Sequence, residues 1–284
     1  MFERLSRSWD LVKASGAVLK QDKELLVFPL ISSVAALLVA VCFILPMIGL
    51  GALDGLSGGD NSAISIGTYF VAFLFYTTQY FVIFFFNAAL VGAALIRLDG
   101  GDPTVKDGLN IALSKMGSIL GYAIIAATVG MILRAIQERV GFLGKIIVGL
   151  LGVGWTMATY LVVPVLVTSD VGPIDAVKES AGLLKKTWGE NVIGQAGIGA
   201  AFGLITFAIV LCGIALVILA AMTGSVIVIG LAVVIAVLAV IAAALVHTAL
   251  SGIYAAALYR YATQGSATLG FDTMALQNAF APKN

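Results

Sequence analysis

Charge-free stretches divide the chain. No Asp, Glu, Lys or Arg occurs in Leu25–Leu53, Asn61–Ile96, Met116–Leu133, Ile146–Ser169 or Asn191–Tyr259, runs of 29, 36, 18, 24 and 69 residues. A helix needs roughly 20 apolar residues to cross a bilayer, so each of the first four runs predicts one span. The fifth is long enough for two, with Met222-Thr223-Gly224-Ser225 as the turn between them. These six spans are helical, because the runs lack the alternating polarity of barrel strands. The second and sixth exceed what the hydrocarbon layer requires and are expected to tilt, bend or protrude. Pro46 and Pro164 fall inside spans one and four and are expected kink sites.

The charged positions between the runs set an orientation. Arg4, Arg7, Lys13, Lys20 and Lys23 precede span one; Arg97, Lys106 and Lys115 follow span two; Lys178, Lys185 and Lys186 follow span four; Arg260 and Lys283 close the chain. Arg134, Arg139 and Lys145, between spans three and four, are the cations of the other side. Thirteen against three places both termini in the cytoplasm under the positive-inside rule. The polar start before a long first apolar run reads as an anchor, not a cleaved signal.

The inner loops carry a second periodicity. Val105, Leu109, Leu113 and Met116 step by three or four after Asp102-Pro103, and Val177, Ala181, Leu184 and Trp188 do so after Gly172-Pro173. Each series is one face of a helix, with Pro at the first helical position. Asp102 is the expected cap of one helix, and Asp175 adds first-turn negative charge to the other. Leu5, Trp9, Val12, Gly16 and Leu19 make a third version. In addition, Ala93-Ala94-Leu95-Ile96-Arg97-Leu98 matches Ala256-Ala257-Leu258-Tyr259-Arg260-Tyr261 in register. The expected fold is therefore an all-α polytopic membrane helical bundle, six transmembrane helices in three degenerate repeats of interfacial helix plus hairpin. The chain forms one membrane domain, with repeats at 1–98, 99–170 and 171–262 and a cytoplasmic tail at 263–284. The interfacial helices are expected along the inner leaflet, anchored by Trp9 and Trp188; the alternative is packing against the protein's own second and sixth spans.

Composition agrees. The chain has 284 residues, 61% apolar and 11% charged, with a mean hydropathy of +1.08. A soluble domain carries roughly 25% charge, and disorder needs low hydrophobicity. A net charge of +1 gives no basic footprint, so no nucleic-acid partner is expected. Cys42 and Cys212 lie in apolar runs at no metal or disulfide spacing.

Ser8-Trp9-Asp10-Leu11-Val12-Lys13 and Lys20-Gln21-Asp22-Lys23-Glu24-Leu25, running on to Phe28-Pro29-Leu30-Ile31, open the chain. Together with Val163-Pro164-Val165-Leu166, the Pro173-to-Trp188 segment, Gly270-Phe271-Asp272 and Ala279-Phe280, they resemble a family of uncharacterised bacterial six-span membrane proteins. The resemblance implies the architecture and a bacterial inner (cytoplasmic) membrane location, not an activity. More distantly, the layout is similar to the membrane domain attached to some glycerophosphoryl diester phosphodiesterases. That likeness concerns the membrane portion alone and implies none of their catalysis.

Few residues suit chemistry. His247, the sole histidine, lies in span six; its two readings are a proton relay and a neutral imidazole bonded to a neighbour. Arg134, Glu138 and Arg139 end span three, with Arg134 and Glu138 one helical turn apart. They read either as an outward vestibule or as interface anchors with a surface ion pair. Glu190 and Gln195 are expected to be interfacial, and Gln79 and Asn87 to bond between helices. Gly117-x-x-x-Gly121 and Gly199-x-x-x-Gly203, with Gly149, Gly152 and Gly154, are expected packing positions within or between subunits. The Phe and Tyr residues around span two are expected to face lipid. No nucleophile motif, zinc helix or carboxylate pair is present, and no cofactor or metal is expected. The resulting expectation is a non-enzymatic protein that organises or shapes the bilayer as a homo-oligomer, with membrane lipids as its partners. The alternative is an oligomeric channel or permease for a small solute or lipid.

Overall fold

The computed structural model describes residues 13–49 and 66–264, and side chains there except at 47, 49, 66, 68 and 186–201. Among the described residues the chain is helical, with no strand. Helix α1 covers 13–21 and leads through a 3-10 turn, Lys23–Leu26, into α2 (Val27–Gly49) and α3 (Ile66–Leu98). There follow α4 (Val105–Ser114), α5 (Met116–Arg139), α6 (Phe142–Ala158), α7 (Val162–Thr168), α8 (Pro173–Ala221) and α9 (Val226–Gln264). Among the described residues six segments are long and apolar enough to cross a membrane: Lys23–Pro46, Tyr69–Leu98, Met116–Arg139, Phe142–Thr168, Phe202–Ala221 and Val226–Gln264. At about 1.5 Å per residue, the 33 residues of α3 and 39 of α9 reach about 50 and 58 Å. The expected excess length of spans two and six is there.

The helices form two compact units, one of Val27–Ala93 and Thr104–Leu184, the other of Met1–Leu26, Ala94–Pro103 and Lys185–Asn284. In the first unit α3 and α5 are antiparallel. Tyr76 bonds Arg134, Tyr80 lies over Gly130, and Phe84 stacks on Tyr122 at 4.5 Å between ring centres. Part of the aromatic belt therefore faces a neighbouring helix, whereas Tyr69 and Phe70 are exposed as expected.

Short α4 packs on the protein itself. A Cβ on Gly108 would stand 2.5 Å from the Phe28 ring and 2.6 Å from the Ala89 carbonyl oxygen, and Ala112 is wholly buried. Leu113 and Met116 stay exposed. The expected single apolar face at Val105, Leu109, Leu113 and Met116 is thus corrected: small residues make the contact, because only they let the helix approach the Ala89 backbone. Gly108→Ala is expected to cost about 1–3 kcal/mol by overpacking, read as thermal unfolding in detergent. Gly182→Ala on α8, outside the apolar spans and where a Cβ meets no described atom within 4 Å, should be neutral or slightly stabilising.

The cap of α4 is also corrected. Thr104, not Asp102, is the N-cap, in a reciprocal box with Asp107, and Pro103 precedes the helix. The Thr104 hydroxyl donates to Asp107 Oδ2 at 2.6 Å, and the Thr104 backbone N–H donates to the same oxygen at 2.9 Å. These bonds, the hydroxyl's first, hold the Asp107 carboxyl below its ordinary pKa. A depressed carboxyl stabilises the fold above its unfolded value of about 3.9 and loses that contribution as pH falls through the folded value. Amide-exchange protection of α4 should therefore drop below about pH 4 in the native protein, and Asp107→Asn should remove that dependence.

Span four is broken. Pro164 lacks an N–H, and its ring crowds the carbonyl four residues back; α6 stops at Ala158 and α7 resumes at Val162. The kink expected at Pro164 therefore falls at 159–161. Ser180, fully buried on α8, fills the break: its hydroxyl donates to the Ala158 carbonyl at 2.7 Å and accepts from the Leu161 N–H at 3.1 Å. Pro173 does begin α8, but the segment expected as a separate interfacial helix continues without interruption into span five.

In the second unit α8 and α9 form an antiparallel hairpin. Phe202 lies against His247 with ring centres 4.8 Å apart, and a Cβ on Gly213 would stand 3.0 Å from Ala236 Cβ. The turn falls at Met222–Ser225 as expected, with Gly224 at φ +67° and the Thr223 hydroxyl donating to the Ala220 carbonyl at 2.7 Å. Burial concentrates at the far end of α9, from Ala249 to Tyr259, with Val18, Leu19 and Leu25 also in the core. At the turn, Met222, Val226 and Ile227 are more than three-quarters exposed. Apolar exposure of this extent suits lipid, not water.

Candidate functional site

Charge gathers in the second unit where α3 ends. Asp99 N–H bonds Leu95 O, Gly100 N–H bonds Arg97 O, and Gly101 N–H bonds Ile96 O. With Gly100 at φ +85°, this is a Schellman stop, which glycine permits without strain. It brings Asp99 and Asp102 back over the helix end. Arg97 Nε donates to Asp22 Oδ2, and its Nη2 donates to Asp102 Oδ1 at 2.6 Å. Asp22 is buried, and the Arg97 side chain is only 21% exposed. Arg260 of α9 pairs with Asp99. The two arginines of the internal echo thus both end in carboxylate pairs. The cations are neutralised where they stand, so the cluster fastens the N-terminal segment and α9 around the end of α3. The shared register of Arg97 and Arg260 in the internal echo is the sequence signal for their common role.

In the first unit, Lys115, between α4 and α5, donates to the Ser169 carbonyl at 3.1 Å and pairs with Asp170 at 3.0 Å. At the opposite end of α5, Arg134 Nε pairs with Glu138 at 2.9 Å and its Nη1 donates to Tyr76 Oη at 2.8 Å. Both partners of the ion pair are well exposed. Arg139 closes the same helix. Arg134 and Glu138 pair one turn apart as their spacing allows, and Tyr76 adds a partner that sequence spacing could not reveal.

The remaining expected positions divide. His247 is half-buried beside Phe202, and among the described residues no acidic group pairs with it. Gln79 Oε1 and the Thr77 hydroxyl are buried in α3 without a hydrogen-bond partner among the described residues. Gly121 abuts Pro173, which a Cβ would approach to 2.8 Å, whereas a Cβ on Gly117 or Gly203 would meet no described atom of another element within 4 Å. Trp9 lies outside the described residues, as do the side chains of Trp188, Glu190 and Gln195 and the surroundings of Gly199. Both cysteines are free and exposed. Among the described residues no cluster of His, Cys, Asp or Glu could hold a metal.

Six long apolar helices with their charged groups gathered at helix ends define an all-α polytopic membrane protein. No curated protein matches the chain, so the more distant phosphodiesterase likeness has no support there. The chain belongs to DUF6159, a family of unknown function whose model matches residues 66–270.

Proposed function

We propose that this is a non-enzymatic protein of the bacterial inner membrane, both termini cytoplasmic, which organises or shapes the bilayer as a homo-oligomer. One observation carries this reading: glycines on membrane-spanning helices with no packing neighbour among the described residues. A Cβ at Gly117, Gly149, Gly152, Gly154 or Gly203 would meet no atom within 4 Å. Glycine costs a helix about 1 kcal/mol relative to alanine and gains nothing against lipid. Its use in membranes is to let a second helix approach closely, and none does so among the described residues. A second copy would. Electron cryomicroscopy of proteoliposomes at rising protein density should show clustered protein and altered curvature; evenly dispersed single subunits in undistorted vesicles would refute the reading.

A channel or permease is the second reading. It is favoured by the unpartnered Thr77 hydroxyl and Gln79 Oε1 inside α3, polar atoms that a water or solute could satisfy. Solute release from the same proteoliposomes, lost in Gln79→Leu, would favour it over the scaffold.

A further inference from the structure

Where α5 turns into α6, the first unit carries an open pocket of about 480 Å³, lined by Gly130, Leu133, Arg134, Gln137, Glu138 and Lys145. Two cations face one carboxylate there. Arg134 spends one N–H on Glu138 and one on Tyr76, and a guanidinium has five, so three remain. The Lys145 ammonium has no ion-pair partner among the described residues. The lining therefore has a surplus of one positive charge, with unused donors on two side chains.

Its surroundings select the form in which an anion arrives. Phe142 and Leu143, at the turn beside Lys145, are 79% and 75% exposed. Such side chains at a helix-hairpin tip belong in the interfacial zone of a bilayer, where aromatic groups settle. A free ion would use the charges alone; a phospholipid would use the charges and the apolar tip together. We propose that this pocket binds the headgroup phosphate of an anionic phospholipid. Lys145 and the free N–H groups of Arg134 receive the phosphate, and the acyl chains lie against Phe142 and Leu143. Glu138 competes with the phosphate for Arg134 and tunes the site. This inference rests on the chain crossing a membrane, not on assembly between copies.

The test is native mass spectrometry of the protein exchanged into phosphatidylcholine nanodiscs containing a minor fraction of phosphatidylglycerol, counting phosphatidylglycerol retained per subunit. Lys145→Gln alters an exposed side chain and leaves the fold intact; it should lower retention about tenfold, the loss of one charge-assisted bond. Glu138→Gln should raise retention severalfold, an opposite sign that damage to the fold would not produce. Unchanged retention in Lys145→Gln, or reduced retention in Glu138→Gln, would overturn the site. Excess inorganic phosphate should leave the bound lipid in place; its displacement by retained phosphate would overturn the lipid assignment in favour of a free anion. The same spectra give the subunit number, so loss of the lipid site and loss of assembly are separable.

Discussion

Arg97→Leu is expected to destabilise the protein by roughly 3–5 kcal/mol, the cost of stranding a buried partner charge. Asp22 is 6% exposed, and its carboxylate accepts from Arg97 Nε. Without the guanidinium it must either stay charged in an apolar surround or take up a proton. Asp102, nearly fully exposed, loses a partner but not its water, so most of the effect falls on Asp22. Adding Asp22→Leu to Arg97→Leu should therefore recover much of the loss, because removing both charges removes the desolvation problem. Chemical unfolding in detergent micelles measures the cycle. Additive losses in the double variant would mean that the two groups act independently.

Ser180→Ala should be the next most damaging small change. The hydroxyl serves the Ala158 carbonyl and the Leu161 N–H at once, in a segment where Val162 to Leu166 are all buried. Leaving a buried donor or acceptor unmet costs about 1–3 kcal/mol for each group. Amide exchange at 159–166 should accelerate more than the global unfolding midpoint falls, because the break in span four loses its brace first. Ser180→Thr retains an oxygen and should be milder. If Ser180→Ala leaves exchange in this segment unchanged, the hydroxyl does not brace it.

How much of this the chain disclosed beforehand depended on whether the cause was local. Span number follows from runs without charge, and the Met222–Ser225 turn from glycine in a left-handed position, both readable in a short window. The cap of α4 was not legible because Asp102 and Thr104 are both good capping types two residues apart; in the structure Thr104 caps the helix and Asp102 bonds Arg97. Pro164 announced a break but not its position, and nothing near it in sequence pointed to a serine 19 residues beyond Leu161. The bond from Arg97 to Asp22 joins positions 75 apart, beyond any periodicity. Gly108, which by propensity weakens α4, is the residue that lets the helix dock. The Arg134–Glu138 pair was legible from its spacing; Tyr76, contributed by another helix, was not.

The unpartnered glycines give the most direct test of lateral assembly. Gly149 and Gly152 lie three apart on α6, one helical face, and beyond their own helix backbone no described atom stands within 4 Å of where a Cβ would be. Leucine at both positions should leave the subunit's own stability unchanged and block a second copy from approaching. The decisive quantity is particle mass in phospholipid nanodiscs. Assembly through these faces predicts an integer multiple of the 29.4 kDa subunit for the native protein, and a single subunit for Gly149→Leu/Gly152→Leu with an unaltered unfolding midpoint. A native protein that is already a single subunit, or a double variant that keeps its full multiple, would contradict it.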